Sequence, residues 1–242
     1  MDWQDSPQLA RLFAENGARG TFVLYDVAAD RMVGHDRSRA ETRFSPGSTF
    51  KITNALIGLA SGAVAGVDTV LPYGGGHLAL AAWERDMSLR EAMALSNLAI
   101  FQGLARRVGL PRLEAELARL NYGNARTGGA LDRFWLDGSL GISAVEQARF
   151  LADLARGALP YPAGTQAAVR DIARLESRAD WTLYGKTGWP AYPEPGIGWW
   201  VGWVNKGERV YAFALNMDMA DAADAGRRVS LGRACLAALG VL

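Results

Sequence analysis

The chain has 242 residues, half of them apolar and 21% charged, with 26 basic residues against 25 acidic ones and a net charge of +1. That composition marks a globular chain long enough to bury roughly 70% of its unfolded surface without a metal or disulfide staple. Balanced charge gives no electrostatic basis for nucleic acid or membrane partners, one cysteine (Cys235) excludes a disulfide framework, and two isolated histidines (His35, His77) speak against zinc or a Ser/His/Asp triad.

In chain order, Ser6-Pro7 followed by an apolar-periodic stretch to Gly17 predicts a capped helix. Thr21–Asp26 and Arg31–Gly34 read as a strand pair. A helix is expected from about Ser48 to Ala60, after the turn at Ser45-Pro46-Gly47. From Trp83 to about Leu175 the pattern is helical almost throughout, with Ser88 as a cap, Gly109 as a stop and a capping box at Ser143–Glu146. A glycine-containing loop at Gly128–Ser139 interrupts it, and Gly74-Gly75-Gly76 reads as a turn. Trp181–Lys186, Gly198–Asn205 and Val210–Met217 are predicted strands, the last two joined by a hairpin at Lys206-Gly207; Ala225–Leu239 closes the chain as a helix. Trp199, Trp200 and Trp203 are expected to pack the sheet.

Strands at both ends with helices between them predict an α+β fold: an antiparallel sheet from N- and C-terminal segments, flanked by the terminal helices, with an inserted helical region at about 60–175. Residues 1–242 are expected to form one structural unit with two lobes. Met1 is not followed by a basic stretch and an apolar run, so no export signal is expected in this sequence.

Only three of the basic residues are lysine: Lys51, Lys186 and Lys206. Arginine holds its proton almost everywhere, whereas a buried lysine can release it, so lysines kept in an arginine-rich chain are candidates for proton chemistry. Lys206 sits in the hairpin and reads as surface. Ser48-Thr49-Phe50-Lys51 opens a helix, where a spacing of three puts hydroxyl and amine on one face beside unpaired backbone N–H groups. A nucleophilic serine needs a base, and with no histidine placed to serve, an uncharged lysine is the candidate. An N-cap serine followed by a surface lysine is the alternative reading of the tetrad alone.

Further motifs follow in order. Ser96-Asn97-Leu98 lies between two helical segments, Tyr122-Gly123-Asn124 follows a helix, and Phe134–Ser143 reads FWLDGSLGIS. Lys186-Thr187-Gly188 ends a strand ahead of Trp189, and Gly198–Val204 reads GWWVGWV. With STFK at Ser48–Lys51, this ordered set resembles the penicillin-recognising serine enzymes, and among them the class D β-lactamases, over essentially the whole chain. YGN together with FWLDG separates class D from class A. One position departs: the second motif of the family usually ends in valine and here ends in Leu98.

The resemblance implies a serine hydrolase that opens the β-lactam ring of penicillin-type substrates, with no cofactor beyond CO2. It implies an N-carboxylated Lys51 as general base, in a pocket lined by Phe50, Leu98, Trp135 and Leu136, with the Trp135 indole donating to the carbamate. Carboxylation requires a neutral amine, which burial favours. Ser48 would be acylated, the backbone N–H groups of Ser48 and Trp189 would hold the oxyanion, and Ser96 with Lys186 would protonate the departing nitrogen. Thr187, Gly188, Lys186 and Arg228 on the last helix would bind the substrate carboxylate, with the adjacent Arg227 as the competing assignment. The resemblance also implies a periplasmic location. The short stretch from Trp189 to Ile197 resembles that of some carbapenem-hydrolysing members. Two other functions share parts of the pattern. A β-lactam sensor domain acylates without turnover but carries asparagine where this chain has Leu98. A cell-wall peptidase shares SxxK and KTG but lacks the FWLDG tryptophan.

Overall fold

The computed structural model describes residues 2–190, 196–222 and 224–242. The chain opens with β1 (Asp2–Asp5), α1 (Pro7–Glu15), β2 (Gly20–Asp26), β3 (Arg31–His35), α2 (Arg37–Glu41) and α3 (Phe50–Ala60). The middle holds β4 (Val70–Leu71), β5 (Met87–Ser88), α4 (Leu89–Ala94), α5 (Leu98–Val108), α6 (Leu110–Arg119), α7 (Ala144–Arg156) and α8 (Ala163–Ile172). It ends with β6 (Arg174–Ser177), β7 (Trp181–Gly188), β8 (Gly196–Lys206), β9 (Arg209–Met219) and α9 (Asp224–Ala238).

Seven strands form one sheet in the order β1-β3-β2-β9-β8-β7-β6. N- and C-terminal segments meet where β2 pairs antiparallel with β9, Gly20 opposite Met217 and Asp26 opposite Tyr211. This is the α+β architecture expected, with one exception to antiparallel pairing: β1 runs parallel to β3 at the edge.

Alternation along the central strands divides the core between the two sheet faces. Val23, Trp199, Val201, Trp203, Ala212 and Ala214 face a large cluster built with α3, α5 and α7. Phe22, Leu24, Trp200, Val204, Phe213 and Leu215 face a second cluster with α1 and α9. Trp199, Trp200 and Trp203 are all buried, as a sheet-packing role requires. Helix α7 lies across β9, β2 and β8. Its buried Ala144, Ala148 and Ala152 meet the small Ala212 and Ala214 side chains in the same cluster, which allows a close helix–sheet approach.

Where local signals are strong, the predicted boundaries hold. Ser88 and Ser143 each form a complete capping box, with Glu91 and Glu146, and Ser6 caps α1 by accepting from Leu9 N. Several elements depart from expectation, among them the short pair β4–β5, whose β5 falls in the stretch read as helical from Trp83. The β1 strand has no apolar alternation (Asp-Trp-Gln-Asp) and forms by pairing with β3. The five-residue α2 depends on Asp36, which accepts from Arg39 N at 3.0 Å from a left-handed backbone position. The helical pattern read to about Leu175 stops at Ile172, and β6 follows because Arg174–Ser177 pairs with the edge of β7.

Candidate active site

The expected helix at Ser48 begins as a tight turn, Gly47–Thr49, that runs directly into α3. Gly47 adopts φ 53°, a left-handed bend that a side chain would resist. Two ties hold the turn from outside: Gly47 N and Ser45 Oγ both donate to the Trp135 carbonyl, at 2.9 and 2.8 Å. A third comes from the sheet, where the Trp199 indole donates to Ser45 O at 2.9 Å. Buried Gln147 of α7 donates to Thr49 Oγ1 at 2.8 Å, and Thr49 Oγ1 donates to Pro46 O.

One helical turn on, the Lys51 amine lies 2.6 Å from Ser48 Oγ. Lys51 is 1% exposed, and among the described residues no carboxylate pairs with its amine. Burial first, and the nearby Lys186 ammonium second, hold its pKa well below the usual lysine value. Its nitrogen is 5.6 Å from the Phe101 ring centre, and in the same core cluster Phe50 stacks on Trp135 at 5.2 Å. Leu98 and Leu136 are half-buried against the same cluster. The Trp135 indole N–H is buried and has no acceptor among the described residues. A buried donor without a partner costs about 1–3 kcal/mol.

A second lysine–serine pair lies near the first, bridging the sheet and the α4–α5 turn. Lys186, in the last turn-ward stretch of β7, donates to Ser96 Oγ at 2.9 Å and to Thr187 O at 3.3 Å. Burial and the neighbouring Arg228 guanidinium lower its pKa to about 8. Arg228 donates to Gly188 O at 2.8 Å, and its buried Nε has no partner among the described residues. Arg227 turns instead to Asp224 at 2.6 Å, so α9 brings Arg228, and not its neighbour, to the KTG strand.

The end of β7 runs against the start of α3. A Cβ on Gly188 would come within 2.6 Å of Pro46 O, and one on Gly47 within 3.2 Å of Trp189 N. Glycine at both positions lets the backbones of Pro46–Thr49 and Gly188–Pro190 lie side by side. Trp189 is 40% exposed at this rim. Residues 191–195, most of the short Trp189–Ile197 stretch, lie outside the described residues. Among the described residues no group of three or more His, Cys, Asp or Glu side chains is placed to hold a metal ion, and no helix is long and apolar enough to cross a membrane.

Sequence reading passed over Gln147 and Phe101. Gln147 carries one signal, a long amide on the buried stripe of α7. Phe101 carries none, since an aromatic on an apolar helix face reads as core.

A buried lysine beside a helix-start serine, and a second lysine–serine pair joining β7 to the turn between α4 and α5, mark the class of the penicillin-recognising serine enzymes. The family described as penicillin binding protein transpeptidase domain matches residues 16–236. β-Lactamase OXA-5 of Pseudomonas aeruginosa is 38% identical over 233 residues, 95% of this chain and 87% of that protein. β-Lactamase OXA-48 of Klebsiella pneumoniae is 36% identical over 235 residues, covering 97% and 89%. The crystal structure of FUS-1 (OXA-85), a class D β-lactamase from Fusobacterium nucleatum subsp. polymorphum, superposes with a TM-score of 0.96 at 38% identity, over 99% of this chain and all of that one. The chain belongs to the class D β-lactamases.

Proposed function

We propose that the chain hydrolyses penicillin-type β-lactams through a Ser48 acyl-enzyme, with N-carboxylated Lys51 as the base for both acylation and deacylation. The observation that carries this reading is the buried Lys51 amine, hydrogen-bonded at 2.6 Å to Ser48 Oγ. An amine kept neutral by burial is the form that reacts with CO2. The unpartnered Trp135 N–H is a donor of the right kind for the carbamate oxygen. The carbamate would supply a carboxylate-like base that takes the Ser48 proton and later activates the hydrolytic water.

The backbone N–H groups of Ser48 and Trp189, on chains that run side by side, would receive the oxyanion. Ser96 would deliver a proton to the departing ring nitrogen and recover it from Lys186, whose pKa near 8 suits proton exchange around neutrality. Thr187 and Arg228 would hold the substrate carboxylate, Gly188 leaves room for it, and Trp189 with Leu98 and Leu136 would border the bound ring. The periplasmic location expected from the family is part of the same proposal.

Turnover separates this reading from a sensor that stops at the acyl-enzyme. A chromogenic cephalosporin should give a burst followed by sustained hydrolysis. One equivalent of product and no more would assign the chain to the sensors. Leu98 argues for turnover, because an apolar side chain cannot compete for Lys51 as an asparagine can.

Leucine at 98 also exceeds the family's usual valine by one methylene. Leu98 opens α5 and is only half-buried, so it has room to move, whereas valine is stiff at χ1. Leu98→Val is expected to slow deacylation by narrowing the path for water, with Ser48 acylation within about threefold (~0.65 kcal/mol) of the parent. Single-turnover rates decide it; faster deacylation in the variant would show that Leu98 crowds the site.

A further inference from the structure

Ser96 has φ 54°, a left-handed conformation that non-glycine residues rarely hold without support. The chain needs it to turn from α4 into α5: Ser96 N donates to Met93 O at 3.2 Å and Asn97 N to Ala92 O at 2.9 Å. Those bonds close α4, but they do not fix where Ser96 Oγ points. Two others straddle the residue, and both lead to position 83. The Trp83 indole donates to Leu95 O at 3.0 Å, and Asn97 Nδ2 donates to Trp83 O at 3.1 Å. Asn97 is fully buried, and its Oδ1 accepts from Ile100 N at 3.3 Å, capping α5. The segment carrying Trp83 is itself pinned to α4 through Arg85, which donates to Glu91 at 2.9 Å.

We propose that Trp83 and Asn97 form a clamp that fixes the left-handed turn at Ser96 and thereby aims its hydroxyl along the line from Lys186. Both are positioning residues for proton delivery to the leaving nitrogen, a role that rests on the reading of Ser96 given above. Without the clamp only the two backbone bonds that close α4 hold the turn, and the Ser96 hydroxyl loosens from its 2.9 Å contact with Lys186. The consequence is confined to one step. The ring nitrogen departs during acylation, so deacylation does not depend on the clamp. Dependence also follows the leaving group: a penicillin's amine needs the proton, whereas a cephalosporin that expels a substituent draws the nitrogen's electrons into a conjugated system.

The test compares Trp83→Phe, Asn97→Ser, Ser96→Ala and the Trp83→Phe/Ser96→Ala double variant by single-turnover kinetics. Serine keeps a capping oxygen at 97 and loses the donor, while Trp83→Phe lies near the surface and keeps an aromatic ring. Each single clamp variant should acylate with a penicillin at least about tenfold more slowly, with deacylation within twofold and cephalosporin acylation within threefold. In the Ser96→Ala background Trp83→Phe should add less than twofold. Equal losses with both substrates, or an undiminished loss in that background, would mean that Trp83 acts by touching substrate, and the clamp falls. Unchanged penicillin acylation in both clamp variants beside a slow Ser96→Ala overturns the clamp and leaves the role of Ser96 standing. A Ser96→Ala enzyme that acylates normally overturns both.

Discussion

Ser48→Ala is expected to abolish covalent capture of penicillins and to lower hydrolysis by at least about 10⁴-fold, the scale on which loss of a covalent nucleophile acts (~5.5 kcal/mol). The loss would be chemical and not structural. The Ser48 hydroxyl caps no helix: neither the Gly47–Thr49 turn nor α3 has a side-chain cap bond. The turn is held instead by Trp135 O, by the Trp199 indole and by Gln147 through Thr49. Melting should therefore shift little, and non-covalent penicillin binding through Thr187 and Arg228 should survive. Intact-mass spectrometry after brief exposure reads the result directly: one added ligand mass on the parent and none on the variant. A persistent adduct on Ser48→Ala would move the nucleophile to another side chain.

Much of this site was legible because its chemistry is carried by short local motifs. STFK encodes its own geometry, since a spacing of three on a helix brings Ser48 and Lys51 together before any tertiary contact is known. Lysine scarcity pointed to Lys51 and Lys186 for a physical reason, and the two are the buried lysines of the structure. The cap at Ser88 and the capping box at Ser143 placed α4 and α7 for the same local reason.

What escaped was tertiary. Strand β1 is polar and exists only through its pairing with β3, and β6 continues a helical pattern that the edge of β7 overrides. Gln147 acts on Thr49 across 98 positions, and no local periodicity encodes such a contact. The bond from Asn97 to Trp83 spans 14 positions, and the helical pattern read from Trp83 onward does not encode it. Counting along the chain put Arg228 ahead of the adjacent Arg227 but did not separate them physically. They separate once α9 docks, because Asp224 takes the first and Gly188 O the second.

Lys51→Ala should leave Ser48 able to react, slowly, and then trap it as a long-lived acyl-enzyme, with deacylation down by about 10²–10⁴-fold, the range of a lost general base. Among the described residues the buried Lys51 amine lies 2.6 Å from Ser48 Oγ, while Lys186 is engaged with Ser96. Because burial and then Lys186 depress the Lys51 pKa, its amine is neutral where a free lysine would be charged. Acid reverses that. Protonation removes the nucleophile for CO2, so deacylation should fall as pH drops, and added bicarbonate should restore it in CO2-depleted buffer. Neither lever should act on Lys51→Ala. The same depressed pKa makes the unfolded chain the stronger proton binder between the native and unfolded values, so this residue's contribution to stability rises with pH across that interval. Trp135→Phe provides the matching structural arm. It keeps the stacking on Phe50 but removes the unpartnered N–H, so more bicarbonate should be needed for full activity. Carbon-13 NMR with labelled bicarbonate would show a carbamate resonance in the parent and none in Lys51→Ala. Normal turnover by Lys51→Ala would remove this lysine from the chemistry and require another base in the cleft.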